Sequence, residues 1–100
     1  MKRVVYHRLA ATEHIKSARF YERRRIALGD EFIAEVDAAI LRIQRQPELG
    51  PVGKYDERSR RVRRFPFRIV YEIQPDRIWI VAVAHLSRRP GYWIRRTTIP

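Results

Sequence analysis

The spacing of apolar side chains changes along the chain, and the changes divide it into elements. Val4-Val5-Tyr6 is a short β-branched and aromatic run, which predicts a first strand. From residue 9 to residue 28, Ala11, Ile15, Ala18 and Tyr21 recur at three- and four-residue spacing, which predicts a helix. Charges fill its other side, ending in Arg23-Arg24-Arg25, and Gly29 is the expected stop. Asp30 is the expected cap of a second helix, with Glu31 well placed near its positive end. Phe32, Ile33, Val36, Ala39, Ile40 and Ile43 form one apolar stripe along that helix, and Pro47 ends it. The turn between the helices is short enough to force an antiparallel hairpin.

After the loop "ELGPVGKYDE", residues 48–57, the period becomes two. Arg61 and Arg63 alternate with Val62, and Pro66 interrupts the run after Phe65. Phe67, Ile69, Tyr71 and Ile73 then alternate with Arg68, Val70 and Glu72. "QPDR", residues 74–77, is a reverse turn. "IWIVAVAH", residues 78–85, is apolar on both faces and reads as a central strand lying between the third strand and the first. The order is β-α-α-β-β-β, an α+β domain over residues 1–100 in which the hairpin's stripe packs on a mainly antiparallel four-stranded sheet. Ile33, Val36, Ile40 and Ile43 are expected to bury against Phe67, Ile69, Tyr71, Ile80 and Ala82.

Charge adds a partner to this picture. The formal net charge is +11, and 19 of the 22 basic residues are arginine. Residues 1–53 carry 10 basic against 7 acidic residues, and residues 54–100 carry 12 against 4. Arginine pairs bidentately with carboxylate or phosphate and stacks on aromatic rings, so an acidic protein, a nucleic acid or a ribosomal surface would each fit. There is no cysteine, which removes disulfides and thiolate metal sites and fits a cytoplasmic protein. The N-terminus has no apolar stretch of signal-peptide length, and no run approaches the roughly 20 apolar residues of a membrane span.

Four stretches in this order carry a family resemblance: "AATEHIKSARFYERR", "LGDEFIAEVDAAILRIQRQPELG", "VRRFPFRIVYEI" and "IWIVAVAHLSRRPGYWIRR". Together they resemble the RelE/ParE superfamily of toxins from type II toxin–antitoxin systems, along nearly the whole chain. The resemblance implies a cognate antitoxin, acidic and folding on binding, and a toxin–antitoxin hetero-oligomer. It implies no cofactor and no metal.

Two chemistries divide that superfamily. RelE-like members cleave mRNA in the ribosome; ParE-like members block DNA gyrase without doing chemistry. Cleavage beside a 2′-hydroxyl requires a proton acceptor, cations around the phosphate and an acid for the leaving oxygen. On that reading the catalytic set is Arg61, Arg68, His85, Arg88 and Tyr92. Arg68 matches the family's strand arginine, and His85 is the histidine at a strand end near these groups. Ser59 and Arg61 stand where RelE-like enzymes often carry lysines, and an arginine is a poor base. The gyrase reading needs only a contact surface, which Arg88, Arg89, Tyr92, Trp93, Arg95 and Arg96 would form, with residue types favoured at interfaces. The long helices and the His-x-x-Arg ending at residues 85–88 look closer to ParE. A non-toxic basic binding module of the same fold is a third reading.

Overall fold

A computed structural model describes residues 1–97. It contains β1 (Arg3–Tyr6), α1 (Arg8–Arg24), α2 (Leu28–Arg45), a short 3-10 turn at Pro47–Leu49, β2 (Arg58–Arg61), β3 (Phe67–Ile73), β4 (Arg77–His85) and α3 (Ile94–Thr97). The sheet order is β1-β4-β3-β2; β1 runs parallel to β4 and the other pairs are antiparallel. The α+β class, the element order and the central position of β4 are those expected. Among the described residues no helix is long and apolar enough to cross a membrane.

The helical hairpin closes differently from the expectation. Gly29 is not the stop: α1 ends at Arg24, and Gly29 lies inside the first turn of α2. Asp30 is not the cap either. Ala27 occupies that position in the left-handed region (φ 72°) with no capping side chain of its own. The carboxylate of Glu22, from α1, accepts the N–H groups of Ala27 and Gly29, both at 2.9 Å, and so satisfies the free donors at the start of α2. Gly29 is small because the helices touch there. A Cβ at this position would lie 2.6 Å from the backbone oxygen of Ala18.

One face of the sheet holds the helices. Phe32, Val36, Ala39, Ile40 and Ile43 of α2 pack with Phe67, Ile69, Tyr71, Ile78, Ile80 and Val83. Two expected members of the helical stripes lie outside: Ile15 is 52% exposed and Ile33 38% exposed. On α1 the inward place belongs to His14, which stacks on Tyr6 (ring centroids 5.9 Å apart) and meets Phe32 edge-on. The alternation along β4 also breaks. Val70 pairs with Ala82 and Tyr71 with Ile80, leaving Val81 as the extra residue of a bulge. Ala82 is therefore turned to the other face, contrary to expectation, where it joins Val70, Trp79, Val81, Ala84 and Trp93. β2 is shorter than the period-two reading implied, so Arg63 and Phe65 belong to the connection into β3.

Ile40→Ala should cost about 2–5 kcal/mol in chemical unfolding, whereas Ile33→Ala should stay within about 0.5 kcal/mol. Equal losses would contradict the face assignment. Burial lowers the pKa of both His7 and His14 from the ordinary 6.5. The folded chain thus binds fewer protons than the unfolded chain just below that value, so this contribution to stability is present above pH 6.5 and declines as pH falls through it. The Glu72 carboxyl, raised by its own burial, acts in the opposite sense. His14→Phe should flatten the fall in the urea midpoint between about pH 7.5 and 5.5; an unchanged pH dependence would remove His14 as a cause.

Candidate functional site

β4 is longer than its neighbour. β1 pairs with it only from Arg77 to Ile80, so among the described residues no strand pairs with the rest of that edge. A side chain covers it instead. Glu13, on the inward side of α1, accepts the N–H of Val83 at 3.0 Å and the guanidinium of Arg96 at 2.9 Å through Oε1. Its Oε2 accepts the Tyr92 hydroxyl at 2.8 Å. Arg96 also donates to the carbonyl of Val81 at 3.2 Å. One carboxylate and one guanidinium thus take over the donor and the acceptor that a fifth strand would satisfy. Burial, followed by the hydrogen bond to Glu13, pushes the Tyr92 phenol up, so Tyr92 stays a donor throughout the physiological range.

These bonds fold the segment after β4 back onto the sheet. His85 Nδ1 accepts the Ser87 N–H at 3.0 Å, and the Arg88 N–H bonds the His85 carbonyl, which turns the chain out of the strand. Gly91 then takes φ 83°, a value that favours glycine. Trp93 lands on the helix-free face at only 5% exposure. Arg88 lies 4.0 Å from the centroid of the Tyr92 ring and Arg96 5.2 Å, so the aromatic ring carries two cations. Arg88, Arg89 and Arg95 remain exposed.

The expected contact residues therefore part into two groups. Arg88, Arg89 and Arg95 are presented to solvent. Trp93 and Arg96 are not: Trp93 is part of the second core, and the Arg96 side chain is 13% exposed against a Glu13 that is 15% exposed. Tyr92 is half-buried and holds its hydroxyl inward. Sequence reasoning missed Glu13. Its signal was an acid at the spacing of Ser17 and Tyr21, on the inward side of a helix, in a chain of net charge +11.

The expected catalytic residues also part. His85 pairs with Phe67 and meets its ring edge-on at 5.0 Å, on the helix side of the sheet. There it lines a groove of about 360 Å³ between α1 and the end of β4, with Phe20, Tyr21, Val83 and Arg88. Arg61 pairs with Arg68, which lies over the Trp93 ring at 5.3 Å, on the opposite face. Arg68 is thus stacked rather than solvated, and its Nε is buried with no hydrogen-bond partner among the described residues. Arg68 lines a second cavity of about 400 Å³ with Lys54, Tyr55 and Trp93, a grouping the sequence did not announce. The structure brings together Arg61 and Arg68, and separately His85, Arg88 and Tyr92. It does not bring the two sets together.

A family model, the ParE toxin of type II toxin–antitoxin systems, matches residues 4–90. The chain belongs to the ParE toxin family. It is a type II toxin with a cognate antitoxin as partner. No curated protein matches the sequence. In this ParE-family toxin the matched region covers α1, α2, the sheet from Val4 onward and the turn after β4, and it stops just before the segment that Glu13 anchors.

The two groups of rim residues should separate in stability. Trp93→Ala should cost about 3–5 kcal/mol by loss of a packed aromatic, while Arg89→Ala should move stability by no more than about 0.5 kcal/mol. A Trp93→Ala loss as small as that of Arg89→Ala, in urea unfolding followed by circular dichroism, would place Trp93 on the surface.

Proposed function

We propose that this toxin acts by binding and inhibiting DNA gyrase, through contacts and without chemistry of its own. The observation that supports this reading is the division of the titratable groups by the sheet. His85, the imidazole of the rim, is on the helix side; Arg61 and Arg68, the phosphate-binding candidates of the strands, are on the other. Groups that serve one phosphate must all reach it, and this division leaves His85 with Arg88 but without the two strand arginines. Arg88, Arg89 and Arg95, beside the rigid Tyr92, offer a cationic rim suited to a large partner. The cognate antitoxin is then an acidic segment that folds on binding against the +11 chain, in a cytoplasmic toxin–antitoxin hetero-oligomer.

One observation favours a second reading. Lys54 and Arg68 line one cavity on the helix-free face, so a lysine base and a phosphate ligand could meet there in a RelE-like, ribosome-dependent mRNA endonuclease. The reading of a non-toxic binding module has no feature of its own in its favour.

The purified toxin should inhibit gyrase supercoiling and leave translated mRNA uncut in primer extension. Reversing charge at Arg88 and Arg89 together should weaken inhibition by at least about tenfold, equivalent to about 1.4 kcal/mol of contact energy. His85→Ala should stay within about twofold, because a contact surface lacks the roughly 10²- to 10⁴-fold dependence of a positioned acid or base. Cut mRNA, together with a folded, antitoxin-binding Lys54→Ala or His85→Ala protein that has lost all toxicity, would contradict the gyrase reading.

A further inference from the structure

We propose that Glu13, a residue of α1 outside the arginine rim, is the positioning residue that holds the C-terminal segment in its working place. The segment has little structure of its own. α3 is four residues long, too short to persist in water alone. What fixes it is the burial of Trp93 and the bonds that converge on Glu13: Tyr92 hydroxyl at 2.8 Å and Arg96 at 2.9 Å. The same carboxylate holds the Val83 N–H at 3.0 Å, so Glu13 ties the segment to the central strand beside the direct bond from Arg96 to the Val81 carbonyl at 3.2 Å.

Removing the carboxylate takes an acceptor from three partners, and Arg96 keeps its bond to the Val81 carbonyl but loses the only negative charge it is paired with among the described residues. The Arg96 guanidinium becomes a largely buried charge without its ion pair, and the Tyr92 hydroxyl and Val83 N–H lose theirs. The segment relieves this by swinging out, where water can solvate Arg96 and Tyr92. That movement uncovers Trp93 and separates Arg95 from Arg88, which leans on the Tyr92 ring. Glu13 thus governs the arginine rim from a distance. Its effect on toxicity rests on the reading that the rim meets the target.

The experiment uses a Trp79→Phe background, in which Trp93 is the remaining tryptophan of the two in the chain. Emission reports the segment and growth inhibition reports the rim. Glu13→Ala is expected to shift Trp93 emission to the red, leave far-ultraviolet circular dichroism native, and raise plating efficiency by at least about tenfold. Glu13→Gln, which keeps an oxygen acceptor but loses the charge, should give a smaller shift and keep part of the toxicity. Arg96→Gln approaches the same pair from the other side without altering α1, and should reproduce the Glu13→Ala signature. Native emission in both Glu13→Ala and Arg96→Gln overturns the anchoring itself. Red-shifted emission with undiminished toxicity overturns the role of the rim, and with it the positioning function, even though the anchoring stands.

Discussion

The organising constraint in this molecule is an unpaired strand edge in the middle of its core. β4 is buried over nearly its whole length, yet its parallel neighbour stops opposite Ile80. Backbone groups beyond that point need partners, because a buried N–H or C=O without one costs about 1–3 kcal/mol. The solution is a carboxylate from α1 and a guanidinium from the chain's end. Each bonds the strand and each bonds the other. Much else depends on that arrangement. It orients Tyr92, returns the chain across the sheet, and leaves Trp93 as the lid of the helix-free face. Trp93 in turn supports the Arg68 guanidinium.

The sheet consequently has two cores of different character. The helix side is aliphatic and aromatic, built from both long helices, β3 and β4. The other side is thinner, closed by one tryptophan and rimmed by arginines. The bulge at Val81 makes this possible, since it lets both Val81 and Ala82 face the thin side while Val83 returns to the helices. The candidate site residues follow the same division. Groups with the chemistry for acid–base work and groups with the chemistry for holding phosphate are present, but the sheet stands between His85 and Arg68. An inhibitor that works by contact tolerates this separation; a nuclease that needs both His85 and Arg68 at one phosphate does not.

How much of this was legible in the sequence depends on whether neighbours or distant partners decide a residue's place. β4 was legible because an apolar run on both faces has one home, the centre of a sheet. The α2 stripe was legible from Phe32 to Ile43 by period alone, apart from Ile33 at its edge. Gly29 was misread because glycine serves two needs, a helix stop and a close helix crossing, and only the nearby Ala18 carbonyl selects the second. Ala82 was misplaced because a bulge costs the sequence no visible signal. At the site, the arginines were legible as a rim, yet nothing local marked Arg96 as bound inward. Its partner lies 83 positions away, on a helix whose charged residues otherwise face water. Arg68 and Lys54 were separated in the reading because one is on a strand and the other in a loop; only folding places them beside one cavity.

A side chain replaces a strand at the edge of β4, and amide hydrogen exchange reads that replacement directly. The Val83 amide should exchange as slowly as its neighbours in the β3–β4 ladder, through global unfolding rather than local opening. In Glu13→Ala it should become one of the fast amides of β4 while the ladder amides stay protected. A Val83 amide that exchanges fast in the unaltered protein, or stays protected when Glu13 is removed, would contradict the account.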